Sequence, residues 1–210
     1  EHVPLFESHL HHIRWVETQL EKGSMQSVRH LWSSVRPNGD RRPYNLNRLE
    51  LRICDLVSDP LHLLAITAFL ETRLQQLLQA PELDPLENSE LREQTRSEDL
   101  VTIALDNEKA VAKDSLDAQL RHWSTGKPII ARDWIQQLYA EIHPVAKRSG
   151  ILCFLTPIQQ ILRNGNQAQQ WLKQAEKTSP TEVMQTAIAH MQTQEALLAQ
   201  DICSPAVAVV

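Results

Sequence analysis

Apolar positions follow two different periods along the chain. Residues 4–22 repeat an apolar side chain every three or four positions, at Phe6, Leu10, Ile13, Val16 and Leu20. Gly23 stands where a C-terminal cap belongs, so this stretch predicts an amphipathic helix. From His30 to Asp55 the period drops to two. Leu49, Leu51 and Ile53 share one parity, and Arg48, Glu50, Arg52 and Cys54 share the other. Upstream, Leu31, Ser33 and Val35 alternate in the same way with His30, Trp32, Ser34 and Arg36. The connection Pro37 to Asn47 holds Asn38-Gly39 and a second proline, the residues of turns. The segment predicts two antiparallel strands joined by a long loop. One face is apolar; the other carries a carboxylate, guanidiniums, an indole and an imidazole.

Helical periodicity returns at Ser58-Asp59-Pro60, a capping residue followed by proline at the first helical position. Residues 60–79 are apolar nearly all round in their first half, so this helix is expected to be buried against the apolar face of the sheet. Residues 80–96, with two prolines and a run of acidic side chains, read as a linker. A helix resumes near Ser97 with Leu100, Ile103, Ala104 and Val111 as its buried stripe. It is expected to continue through residues 115–123 until Ser124-Thr125-Gly126-Lys127-Pro128 stops it. That pentapeptide is not a phosphate-binding loop, since it lacks the upstream glycine and strand. A further helix over 131–149 has Ile135, Leu138, Ile142 and Val145 as its stripe, Pro144 inside it and Gly150 as cap. Thr156-Pro157 and Ser179-Pro180 open later helices, the second with Glu182 at a capping-box position. Asn164-Gly165 separates two short ones. The last helix, about 180–200, gathers Val183, Ala187, His190/Met191, Gln194 and Leu197/Leu198 on one face. The expected division is a sheet-bearing part over 1–79, the linker, a helical part over 97–204 and a tail over 205–210. The fold class is α+β: an antiparallel hairpin followed by a mostly helical C-terminal half.

Composition narrows the partners. The chain has 210 residues, a formal charge of −5 and a pI near 6.0, with no basic stripe for nucleic acid. Only 5 glycines, below the usual share of about 7%, favour long helices over many tight turns. Cys54, Cys153 and Cys203 have neither metal-site spacing nor an even-numbered disulfide framework. No apolar run approaches the roughly 20 residues that cross a bilayer. With no secretory signal recognised, the expectation is a cytoplasmic protein in a reducing compartment that engages neither membrane nor nucleic acid.

The charged strand face is the candidate chemistry. Glu50 and Arg52, two residues apart on one parity, stand about 6.5–7 Å from each other on a strand. A carboxylate is a hard oxygen ligand suited to Mg²⁺, and arginine forks make bidentate contacts to phosphate or carboxylate oxygens. A metal and an arginine side by side are what phosphoryl transfer needs to neutralise charge on the transferring group. The competing reading is a solvated face with a cross-strand ion pair. His9 and His12 lie on one helix face near Glu7, but no second ligand pair completes a metal site there, so they read as a polar face.

The segment RHLWSSVRPNGDRRPYNLNRLELRICDLVSDPL resembles the carboxylate–amine ligase superfamily that includes glutamate–cysteine ligase, most closely the type of photosynthetic bacteria related to the plant enzyme. The shared features are a Trp-x-x-Val-Arg-Pro strand, a loop, and a Leu-Glu-Leu-Arg-x-x-Asp strand ahead of a long apolar helix. The likeness continues through DNEKAVAKDSLDAQLRHWSTGK and PVAKRSG, covering most of residues 24–150. It implies part of a glutamine-synthetase-like catalytic domain using ATP and Mg²⁺ on glutamate and cysteine. By that resemblance Glu50 is a Mg²⁺ ligand, and Arg52 holds the ATP γ-phosphate or the acyl phosphate made from it. Arg36 contacts substrate carboxylate or phosphates, with Arg48 a weaker candidate for the same pocket. Arg41, Arg42, Asp55, Asn107 and Lys113 are further positions in or near the matching stretches; Arg41, Arg42 and Lys113 read first as surface residues and Asp55 as a turn or cap residue. The family's sheet needs more metal-binding carboxylates than this chain places before His30, and the chain opens on Glu1-His2-Val3-Pro4. A C-terminal portion of a longer enzyme is therefore expected. Another carboxylate–amine ligase and a non-catalytic helical interaction module are the alternatives.

Overall fold

A computed structural model describes residues 3–26, 35–37, 49–51 and 56–203, with the two strand segments and residues 201–203 as backbone. The chain divides into two compact units, Glu1–Leu56 and Val57–Val210. Its described elements are α+β and mostly helical, as the periodicities predict.

In the first unit, helix α1 spans His9–Glu21. Ser8 caps it, its hydroxyl accepting from the His11 N–H, and Gly23 at φ +71° closes it. The buried face keeps Val16 of the expected stripe but is otherwise shifted. His12, Val16 and Gln19 are buried, while Leu10 is 53% exposed. Gln19 tolerates burial because Ser24 donates to both its carbonyl and its Oε1, at 3.0 and 2.7 Å. Val16 and Met25 form a small core with Val3, Trp15 and Leu20. Strands β1 (Val35–Pro37) and β2 (Leu49–Leu51) pair antiparallel in this unit.

The second unit is built on helix α2, Pro60–Gln79, with the predicted bounds. Asp59 Oδ1 accepts from the Leu61 and His62 N–H groups, and Pro60 takes the position where no N–H is needed. Its packing corrects the expectation of all-round burial. Ala65, Ala68 and Thr72 make the buried stripe, and their small side chains let other helices approach. Leu63 and Leu77 remain exposed, and Leu78 is 87% exposed.

Residues 80–96 carry short helical turns in place of an open linker. Pro81–Leu83 and Glu93–Thr95 are single 3₁₀ turns, and α3 spans Pro85–Asn88. Ser89 is buried, donating to the carbonyls of Trp123 and Ser124, and Arg96 Nη1 donates to the Leu86 carbonyl. The acidic residues stay outside, while a hydroxyl and a guanidinium fasten the backbone.

Helix α4, Arg96–Asp114, buries Leu100 and Ile103 but leaves Ala104 and Val111 exposed. It stops where continuation was expected. Ser115 adopts φ +55°, which an L-residue enters only at a cost, and the Asn166 side chain bonds its hydroxyl at 2.5 Å. After a 3₁₀ turn over Ser115–Asp117 come β3, Gln119–Arg121, and β4, Pro128–Ile130. They form an antiparallel hairpin with Leu120 opposite Ile129, so residues 119–123 are strand and turn, not helix. Trp123 to Gly126 form its turn, with Gly126 at φ +67°.

Asn107 of α4 clamps this hairpin. Its Nδ2 donates to the Arg121 carbonyl at 2.9 Å, and its Oδ1 accepts from the Arg121 N–H at 2.8 Å. Asn107→Ala is expected to cost about 1–2 kcal/mol, two ordinary hydrogen bonds in an exposed setting. The Arg121 amide should then exchange faster with solvent, which NMR-detected hydrogen exchange would show.

Helix α5 (Ala131–Arg148) runs through Pro144 and buries Ala131, Ile142, Val145 and Ala146, with Ile135 and Leu138 half-buried. Gly150 follows at φ +71°. Helices α6 (Thr156–Asn164), α7 (Gln167–Ala175) and α8 (Pro180–Cys203) complete the unit. Among the described residues three clusters hold it together: Ala65, Leu116, Ile158 and Leu162; Ala68, Ile142, Ala146 and Leu155; and Ala118, Leu120 and Ala131. The predicted box at Ser179 is present, Glu182 accepting from its N–H and hydroxyl, and α8 turns Val183 and Ala187 inward as expected. No helix among the described residues is long and apolar enough to cross a membrane.

Candidate active site

Alternation along β2 put Glu50 on the charged parity, and the pairing with β1 gives it a partner. Arg36 lies directly opposite Glu50, Val35 opposite Leu51, and Pro37 opposite Leu49. The register therefore sets the two charged positions across from each other and pairs the four apolar ones likewise. Arg48 and Arg52 lie outside the described residues, as do Trp32, Arg41, Arg42, Cys54 and Asp55.

The other sequence candidates separate. Asn107 is engaged in the hairpin clamp. Lys113 is exposed in the last turn of α4, where a cation complements the helix dipole. Cys153 is an exposed free thiol. His9 and His12 stack with ring centroids 6.2 Å apart, but no group of three or more metal-ligating side chains assembles among the described residues.

Several polar clusters in the second unit escaped the sequence reading. His122 lies between indoles, 5.6 Å from Trp123 and 4.9 Å from Trp134 by ring centroid. Its Nδ1 accepts from the Ser124 N–H at 3.1 Å. Burial pushes its pKa below the ordinary value; Glu141 opposes that and Arg73 adds to it. Arg73 and Glu141 pair at 3.1 Å. Asp117 accepts from Arg132 Nη2 at 2.9 Å and from Gln169 Nε2 at 2.8 Å, while Arg132 Nη1 donates to the Leu162 carbonyl. Asp59, besides capping α2, meets His190 Nε2 at 3.4 Å. Burial opposes its ionisation, yet the His62 N–H, the His62 charge, His190 and the Leu61 N–H outweigh it and hold the carboxyl below its usual range. These groups join elements far apart in sequence and serve as fastenings. Except at His122, whose partners Trp123 and Ser124 are near in sequence, the signal was faint because the partners are distant along the chain.

Comparison with known proteins bears on the strand pair. The sequence model of glutamate-cysteine ligase family 2 matches residues 2–195. A curated relative from Gloeobacter violaceus, "Putative glutamate--cysteine ligase 2", is 28% identical over 157 residues, 73% of this chain and 37% of that protein. The chain thus spans little more than a third of that relative's length. No solved structure matches the chain. The family match takes in the β1–β2 pair, α2, the β3–β4 hairpin and most of α8: the chain belongs to glutamate-cysteine ligase family 2.

Proposed function

We propose that this chain is a C-terminal portion of an ATP- and Mg²⁺-dependent ligase that joins the γ-carboxylate of glutamate to the amine of cysteine, the first step of glutathione synthesis. The observation that carries the reading is the placement of Arg36 opposite Glu50 on paired strands, inside the stretch that matches the family. The coverage of the curated relative supports the portion reading.

In this reading a γ-carboxylate oxygen of glutamate bonds to the γ-phosphorus of ATP as the bond to ADP breaks. The cysteine amine then bonds to the acyl carbon, phosphate leaves, and the amine gives up a proton. The chain's own residues bind and orient. Positions directly opposite in an antiparallel pair share one face, so Arg36 and Glu50 combine a fixed cation with a hard oxygen donor, a donor set that fits Mg²⁺ and phosphate together. Glu50 would hold the Mg²⁺, which neutralises phosphate charge when bound. Arg52, on the same strand parity, steadies the oxygens of the transferring phosphoryl group. Arg36 orients the substrate carboxylate, with Arg48 flanking it. No side chain has to act as a nucleophile, because both bond-forming atoms come from the substrates.

The test is ADP release in Mg²⁺ with glutamate and cysteine, measured for this chain and for the longer protein encoded with it. Release that requires both amino acids supports the assignment. Release driven by glutamate with another amine moves it to a different carboxylate–amine ligase. Silence from both polypeptides, with circular dichroism showing intact helices, overturns it.

A further inference from the structure

His12 of α1 is 4% exposed, and among the described residues neither its Nδ1 nor its Nε2 has a hydrogen-bond partner. Phe6, from the segment preceding the helix, meets the ring edge-on with centroids 4.9 Å apart, and His9 stacks on it one turn away. A neutral imidazole pays only for unmade hydrogen bonds in such a setting. An imidazolium would be a desolvated cation with no anionic partner among the described residues, a much heavier cost. On its own helix the titratable neighbours are His9, whose charge opposes protonation, and His11, which Phe6 also contacts at 5.5 Å. On the preceding segment the charged residue is Glu7, whose backbone N–H donates to His11 Nδ1. Burial acts first, and His9 second, to hold the His12 pKa below its ordinary 6.5.

We propose that His12 is an acid-release latch: while neutral it seals residues 3–8 against α1, and its protonation frees that segment. The proposal stands apart from the ligase reading and needs nothing from it. A released segment takes up the proton near the ordinary value, and the sealed state only at lower pH. Sealing is therefore fully supported above about pH 6.5 and weakens as pH falls, by up to about tenfold per pH unit until the sealed-state value is passed.

Two amides report the seal, because the His11 N–H donates to Ser8 Oγ and the His12 N–H to the Ser8 carbonyl, both at 3.1 Å. Their hydrogen-exchange protection, corrected for intrinsic rates, would be followed from about pH 7.5 to about pH 5. Protection in the wild type should fall by up to about tenfold per pH unit below about 6.5. His12→Leu should abolish this dependence, and His9→Gln should make the loss level off at a higher pH, since the sealed-state value rises when the His9 charge is removed. Constant protection in the wild type, or an equal loss in His12→Leu, overturns the latch. Should His12→Leu fail to fold, NMR titration of the His12 ring protons decides: a midpoint below 6.5 supports the proposal, and one at or above 6.5 ends it.

Discussion

Glu50→Ala is expected to lower glutamate- and cysteine-dependent ADP release by about 10²–10³-fold, the usual effect of removing one group that stabilises charge at a phosphoryl or acyl centre. Glu50 occupies the middle of β2 with Arg36 across from it, and in the ligase reading its carboxylate balances a cation that Arg36 cannot replace. Residual turnover should need more Mg²⁺ than the wild type, since the lost group is the metal ligand of the proposed mechanism. Arg36→Ala should instead raise the glutamate requirement and leave the Mg²⁺ dependence alone. Steady-state ADP release against Mg²⁺ and glutamate separates the two. A Glu50→Ala protein with wild-type turnover would leave the charged pair a cross-strand ion pair and nothing more.

Ile142→Ala is the mutation expected to damage the fold most. Ile142 is 0% exposed, packed with Ala68, Ala146 and Leu155 and bordered by Phe69 and Tyr139. Its buried neighbours on α2 and α5 are the alanines Ala68 and Ala146, which cannot move inward to fill a void. The expected cost is about 2–5 kcal/mol, against about 0.5–1.5 kcal/mol for Ile142→Val. Leu78→Ala on the exposed side of α2 should stay within about 0.5 kcal/mol. Urea unfolding followed by circular dichroism would rank the three variants. Equal midpoints for Ile142→Ala and Leu78→Ala would contradict the assignment of the core.

Local signals announced the helices well because their ends are chemical. Asp59-Pro60, Ser179 with Glu182, Gly23 and Gly150 each solve the problem of unpaired backbone groups within a few residues. The parity of Arg36 and Glu50 was legible for the same reason, since a strand's period is written in adjacent residues. Two features were not. The buried face of α1 includes His12 and Gln19, whose polarity points outward on any hydropathy argument; Gln19 is accommodated by Ser24, a partner that periodicity does not weigh. The break after α4 depends on Ser115 adopting a left-handed conformation beside Asn166, 51 residues away. Without that contact, Ala110 to Trp123 reads as uninterrupted helix, and the β3–β4 hairpin disappears into it. Arg48 and Arg52 were assigned by resemblance and await the activity measurements.

The Asn107 clamp alters what the β3–β4 hairpin is. His122 N–H bonds the Lys127 carbonyl and Ala131 N–H bonds the Ala118 carbonyl, so the ladder runs through the even-numbered residues of that arm. Arg121, between them, turns its N–H and C=O away from β4. An open edge of this kind is where a foreign strand adds itself, and a two-stranded ribbon is marginal alone. Asn107 presents one acceptor and one donor to those groups, as a residue of a neighbouring strand would. A single side-chain amide thus serves as a third strand one residue long, occupying the site at which the ribbon would otherwise recruit another molecule.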